Sequence, residues 1–251
     1  SKFKKPYGYI ILGVFVSILL YILSGKSILS EYGGVLPEIG IAFVSLKTIF
    51  FAALLFTEKY IVPFKDKIIL GKPCGSQTDY LVWKDCGYLD GIKNLSVGVK
   101  HNEIPFVDFS EETMGNALGV ATGIAMATPT DTVYVNLSDA SLQMGSTLEA
   151  IAYIGAKQLK NIVVTVDYNQ MQVTGKTGDI ICIKPISNLF KDYGWTVIDV
   201  DGHDKNKLRL AFDNIHLNRK SPLVYFCHTK KGKGVHYMEA DPVSWHYKLL
   251  V

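Results

Sequence analysis

The sequence predicts an α/β fold, a parallel sheet with helices on both faces, preceded by an apolar N-terminal helix. Three observations predict it. Short β-branched runs recur along the second half of the chain, and helix-length segments separate them. A length of 251 residues, 48% apolar and 20% charged, suits one large α/β domain or two small ones. The first strongly apolar segment, residues 7–25, has no charge at all and follows Lys2, Lys4 and Lys5.

That leading segment (YGYIILGVFVSILLYILSG) would reach about 28 Å as a helix, close to the ~30 Å of a bilayer core. It therefore reads as a membrane helix, a buried core helix or a helix covered by a partner. A signal peptide is disfavoured, because Ser24-Gly25-Lys26-Ser27 lacks a small-residue exit of the usual kind. If it spans, the lysines favour an inside N-terminus, which would carry the remaining chain out of the cytosol. The division expected is residues 1–26 as this apolar segment and residues 27–251 as one catalytic-type domain.

The elements then follow in order. Leu46–Phe56 is apolar and helix-like, and Met114–Met126 (MGNALGVATGIAM) is a helix whose small residues allow a close neighbour. Thr132–Leu137 reads as a strand, Ser146–Lys157 as a helix and Asn161–Val166 as the next strand. Ser187–Tyr193 is a short helix, Thr196–Val200 a strand, Lys205–Asn218 a helix and Leu223–Thr229 the last strand. In such a sheet ligands sit beyond the carboxyl ends of the strands. Asp139, Asn169, the Asp201–Asp204 turn and the Lys230–Gly234 loop all fall at those ends.

Composition removes some classes. A net charge of +3 is too small and too scattered for a nucleic-acid surface, and the KKGKG run has the length of an ordinary solvated stretch. Cys74, Cys86, Cys182 and Cys227 show neither C-x-x-C pairing nor histidine spacing, which suggests reduced thiols in an intracellular compartment.

Asp139 and Asn169 end two strands joined by one helix, thirty residues apart. An aspartate, an amide oxygen and a main-chain carbonyl are hard ligands suited to an octahedral Mg²⁺ that also holds phosphate oxygens. The helix after Asp139 would add backbone amides to an anion site. The same residues also serve as a helix cap and a turn closure, and spacing alone leaves both readings open.

Taken together the segments resemble the thiamine-diphosphate enzymes, specifically the N-terminal cofactor-binding domain of transketolase. Ser138-Asp139-Ala140 followed by Asn169 stand where that family has G-D-G and, about thirty residues on, N. Gly145 and Glu149-Ala150 fit its G-x-x-x-E-A helix, and DYNQMQVTG fits its D-x-N-x-x-Q-x-x-G. Tyr193-Gly194-Trp195, the DGHD turn, and TKKGKGVHYME with Trp245-His246 fit later family motifs in the same order. The likeness covers roughly residues 38–248, and with it the metal reading displaces the cap-and-turn one.

The resemblance implies roles. Asp139, Asn169 and the Met171 carbonyl would bind Mg²⁺, which would hold the diphosphate of thiamine diphosphate. Gly115 and Ala140 fall in the cofactor-binding stretches. His101, in KHNE, would assist proton movement beside the sugar, and His246 would reach the diphosphate or substrate. The family's activating glutamate lies on a second, pyrimidine-binding domain. The chain therefore resembles the N-terminal subunit of a split transketolase. It would need a separate C-terminal subunit, in a heterotetramer, to move a two-carbon ketol unit between sugars or sugar phosphates. Those substrates imply a cytoplasmic location or the cytoplasmic face of a membrane.

Departures from the family pattern point to the alternative, a degenerate binding or scaffold subunit. Ser138 and Ala140 replace both glycines, and an alanine where φ must be positive costs about 1 kcal/mol. Glu112-Thr113-Met114-Gly115 replaces T-G-S/P-L-G, setting a carboxylate where a glycine meets phosphate, which weakens anion binding unless Glu112 turns away. Cys74 and Glu38 stand for two histidines, and Met144 for an interface glutamate. The α subunit of a 2-oxo-acid dehydrogenase shares the metal motif, but the DGHD and KGKG…WH segments argue against it.

Overall fold

The computed structural model describes residues 66–72, 76–89, 100, 103–183, 185–213 and 220–246. The apolar segment at 7–25, the helix expected at Leu46–Phe56, Glu38, Cys74 and His101 lie outside the described residues. Among the described residues no helix is long and apolar enough to cross a membrane.

The order is β1 (Lys67–Gly71), α1 (Ser76–Asp85), β2 (Phe109–Ser110), α2 (Ala117–Ala127), β3 (Val133–Ser138) and α3 (Gly145–Lys157). It continues with β4 (Ile162–Tyr168), the small strands β5 (Met171–Gln172) and β6 (Gly175–Lys176), α4 (Thr177–Ile180) and α5 (Ile186–Asp192). Then come β7 (Thr196–Asp201), α6 (Lys205–Asp213), β8 (Leu223–His228) and α7 (His236–Ala240). Single 3₁₀ turns occupy Ala140–Gln143 and Ser244–His246.

Six of these strands form one parallel sheet in the order β2-β1-β3-β4-β8-β7, while β5 and β6 pair with each other antiparallel. The sequence accounts for the positions. IVVTVDY and LVYFCH are nearly continuous apolar runs, as strands covered on both faces must be, and they are central. TVIDVD carries two aspartates and forms the edge, where charge discourages further pairing.

A period of two sorts the side chains. Val133, Val135, Leu137, Val164, Val166, Val224 and Phe226 face one way, against α2, α3 and α5. Tyr134, Val163, Leu223, Tyr225 and Cys227 face the other way, against Leu208 and Phe212 of α6. Ile68 and Leu70 of β1 pack with Tyr80 and Trp83 of α1. Helices thus cover both faces, as expected.

Boundaries shift by a few residues. The α2 helix begins at Ala117 rather than Met114, because residues 111–116 make the loop that caps it. Its close approach to the sheet comes from Ala117, Ala121 and Ala125, each almost fully buried, whereas a Cβ added at Gly119 or Gly123 would meet nothing.

Candidate functional site

The strand order reverses between β1 and β3, the position where open parallel sheets place their ligands. Four strand ends deliver side chains there: Lys72 after β1, Asp139 after β3, Asp167 near the end of β4 and Thr229 after β8. Asp139 and Asp167 are 2% and 3% exposed, and the Asp139 N–H donates to the Asp167 carbonyl at 3.2 Å.

The two carboxylates differ in their partners. Asp167 Oδ2 is paired with the Lys72 ammonium, and Oδ1 accepts from Thr229 Oγ1 at 2.6 Å. Asp139 Oδ1 accepts from the Ala140 N–H at 2.9 Å, but its Oδ2 is buried with no hydrogen-bond partner. Burial, then the Asp167 charge, push the Asp139 carboxyl up to about 7, against the pull of the Gln170 and Ala140 amides and of Lys72. Asp79 of α1 is a third buried acid, with Oδ1 unpartnered, raised well above the usual range by burial and opposed by Lys72. Three buried carboxyls therefore share one lysine.

Such a cluster is short of positive charge, so it takes up protons or a cation. The hard oxygen of Asp139 suits a small divalent ion such as Mg²⁺, and the orphaned Oδ2 is a fitting first ligand. Among the described residues no group of three His, Cys, Asp or Glu could hold a metal. The expected ligand set contains one such residue, completed by an amide and a carbonyl.

Asn169 follows directly on β4 and is half-buried. Its Oδ1 accepts from the Met171 N–H at 2.9 Å, and Gln170 between them has φ +59°. This is an Asx turn that reverses the chain into β5. The turn-closing role is thus present, and Oδ1 keeps a second lone pair. One cleft is lined by Asp139, Gln143, Tyr168, Gln170, Thr177 and Ile181, among others, with Asn169 and Met171 absent from its lining.

The cationic side is built by the last segment. The His246 Nδ1 faces the Lys231 ammonium, and burial, then Lys231 and Lys72, lower its pKa to about 4, so the ring is neutral at pH 7. The DGHD turn serves this loop, since His203 Nε2 accepts from the Lys230 N–H at 2.7 Å. Gly232, with φ +80°, lies where a Cβ would meet Met238 backbone at 2.6 Å, so only glycine lets the loop close on α7.

The substituted positions behave differently from expectation. Ala140 sits in the 3₁₀ turn Ala140–Gln143, so the alanine carries no positive-φ penalty. The Ser138 hydroxyl lies 2.9 Å from Ser141 Oγ and accepts from the Ser141 N–H at 3.2 Å, which uses the side chain that a glycine would lack. Glu112 is exposed. Its neighbour Glu111 is buried instead, accepting from the N–H groups of Gly115, Asn116 and Ala117 at 3.2, 2.8 and 3.0 Å. Gly115, at φ +121°, makes the turn that aims those amides.

Lys72, Asp167, Lys231, Glu111 and Gln143 belong to this site, and sequence reading does not find them there. A signal for Lys72 lies in KIILGK, an apolar run closed by glycine and lysine. For Glu111 the signal is an acid a few residues ahead of a small-residue helix.

Residues 119–244 match the family described as transketolase, thiamine diphosphate binding domain. The chain is 30% identical over 149 residues to a subunit of the apulose-4-phosphate transketolase of Phocaeicola vulgatus, covering 58% of this chain and 53% of that protein. It is 28% identical over 219 residues to the like-named protein from Actinobacillus succinogenes, covering 81% of this chain and 78% of that one. The chain spans about half the length of the first of these relatives. The transketolase structure from Leishmania mexicana superposes with a TM-score of 0.62 at 18% identity, over 77% of this chain and 36% of that one, a likeness of fold alone. A parallel sheet with an orphaned aspartate at its reversal point, and a family match over half the chain that takes in Asp139, Asp167 and Asn169, lead to one conclusion: the chain belongs to the transketolase thiamine-diphosphate-binding domain family.

Proposed function

We propose that this chain is the N-terminal subunit of a split transketolase-like transferase that depends on Mg²⁺ and thiamine diphosphate. It moves a two-carbon ketol unit between sugar or sugar-phosphate substrates and needs a separate pyrimidine-domain subunit, two of each forming a heterotetramer. The single observation that carries this reading is the buried, unpartnered Oδ2 of Asp139 at the reversal point of the sheet. The naming of the relatives as transketolase subunits supports a separate partner.

In this reading Asp139, Asn169 and the Met171 carbonyl hold the cation. Lys72, Lys231 and His246, with Gly115 and Ala140 nearby, hold the diphosphate. Thiamine diphosphate, when bound, supplies the carbanion-stabilising chemistry that lets a ketol unit leave one sugar and join another. His246, kept neutral by burial and by its lysine neighbours, reaches the diphosphate or the substrate as a hydrogen-bonding ring, and the same lowering makes it a weak base for proton transfer. His101 assists proton movement on the sugar side. Residues 1–26 form the apolar appendage and residues 27–251 the domain, which works in the cytoplasm or on the cytoplasmic face of a membrane.

The test is turnover and Mg²⁺-dependent coenzyme binding by the chain reconstituted with its partner. Asp139→Asn and Asn169→Ala should each abolish both. Full activity in both variants removes the metal assignment.

Glu111 favours a second reading, a scaffold subunit that keeps the fold without the chemistry. Its carboxylate fills the amides at the start of α2, where a family member would meet phosphate. Calorimetric titration separates the two readings: no coenzyme binding, with or without the partner, supports the scaffold.

A further inference from the structure

Between β4 and α5 the chain makes a flap, from Met171 to Ile181, that forms one wall of the Asp139 cleft. Its own structure is slight. Two strands of two residues and a four-residue helix are far below what holds itself together in water. The turn leading into it is also strained, since Gln170 adopts φ +59°, which a non-glycine residue takes at some cost. Something outside the flap must hold it in place.

The tie is Gln143. Its Nε2 donates to the carbonyls of Thr177 and Ile181, both at 2.8 Å. Those two carbonyls bracket α4, and the Ile181 N–H itself returns to the Thr177 carbonyl at 3.2 Å. The Thr177 N–H donates to the Gln170 carbonyl at 3.0 Å, so the anchored turn reaches back to the strained residue. One amide thus secures both ends of the short helix and, through Thr177, the start of the flap. Only a side-chain NH₂ offers two donors at a single nitrogen without bringing a charge.

The position of Gln143 gives the tie its meaning. It ends the same 3₁₀ turn that Asp139 caps, so the orphaned carboxylate and the anchor of the facing wall share one short piece of chain. The wall brings its own unsatisfied group, because Thr177 Oγ1 is buried without a partner and Thr177 lines the cleft with Asp139. Two unpartnered polar groups therefore belong to a cleft whose width one amide sets.

We infer that Gln143 is a positioning residue: it holds the Met171–Ile181 flap against the Asp139 turn and thereby sets the cleft's affinity for a divalent cation. This rests on the proposed cation site and goes beyond it by naming what holds the second wall. Its Nε2 is taken up by the two flap carbonyls, so it acts through the flap.

The experiment compares the full chain with Gln143→Met, which keeps the size of the side chain and removes both donors. Amide hydrogen exchange over 171–181 should rise on the order of ten-fold, with 133–138 and 162–168 unchanged as the sign of an intact sheet. Mg²⁺ affinity, titrated calorimetrically in the presence of thiamine diphosphate, should fall roughly ten-fold, as losses in the shell behind metal ligands do. Unchanged exchange in the flap, or faster exchange with unchanged affinity, overturns the inference while the cation site stands. A wild-type chain that binds no Mg²⁺, alone or with its partner, overturns the site and the inference together.

Discussion

Two buried carboxylates stand at the carboxyl side of the sheet, and they are opposites in their bonding. Glu111, ahead of α2, accepts three backbone N–H groups and is internally complete. Asp139, after β3, accepts the Ala140 N–H and lies under the pull of the Gln170 amide, yet its Oδ2 stays buried without a hydrogen bond. Burial raises both, but for Glu111 every opposing influence is an amide of the loop it caps. The comparison teaches that burial of an acid says little about function. What matters is whether the fold itself supplies all the partners, and of these two only Asp139 is left needing something from outside.

The largest effect expected within the protein alone follows from that contrast. Glu111→Ala strips three donors of their acceptor at a buried helix start, so stability should fall by about 2–4 kcal/mol. Asp139→Asn removes a charge that the cofactor-free chain does not satisfy, so it should leave stability unchanged or improved at pH 8. Chemical denaturation of both variants without divalent cations checks this. If Asp139→Asn proves the more damaging, the orphaned oxygen has a partner within the chain and the contrast fails.

The sheet is readable in the sequence because its central strands are continuous β-branched runs and its helices separate them at ordinary lengths. Missing from that reading are β1, β2 and the flap. KIILG is short and follows a long apolar region that masks its edge, and the β5–β6 pair is too brief to give a period. Asp139 is legible through motif order rather than chemistry, since an aspartate after a strand is more often a cap. Asp167 and Lys72 are not, because their pairing joins residues ninety-five positions apart. The resemblance sets Glu112 where a glycine meets phosphate, whereas the carboxylate that takes the amides ahead of α2 is its neighbour Glu111. A one-residue change in which side chain turns inward leaves no trace in composition or spacing.

A smaller, pH-dependent effect sharpens the comparison. The Asp139 carboxyl moves from an ordinary 3.8 to about 7 on folding. A raised acid binds its proton more tightly in the folded chain, so its stabilising contribution is complete below about pH 4 and is lost as pH climbs towards 7. Relative to wild type, Asp139→Asn should therefore gain stability between pH 4 and 8, and the difference between the two isolates this group from Asp79. Thermal melts across that range, run without divalent cations, give the curve. Added Mg²⁺ should restore the wild type at pH 8 and leave the variant unmoved. A pH-independent difference would mean that Asp139 finds its counter-charge inside the chain.

The smallest effect concerns Ser138, where the family has glycine. Its hydroxyl bonds Ser141, and Ser141 Oγ in turn donates to the Gly71 carbonyl at 3.2 Å, so the serine ties the Asp139 turn to the end of β1. Ser138→Gly should cost about 1 kcal/mol, from a lost local hydrogen bond and added backbone freedom. Coenzyme affinity should stay within about three-fold, because less than ~1 kcal/mol separates the two states at the ligand. A gain of ten-fold or more would show that the hydroxyl obstructs the anion. The departure from the family pattern would then be a device that weakens the site, and the scaffold reading favoured by Glu111 would gain a second support.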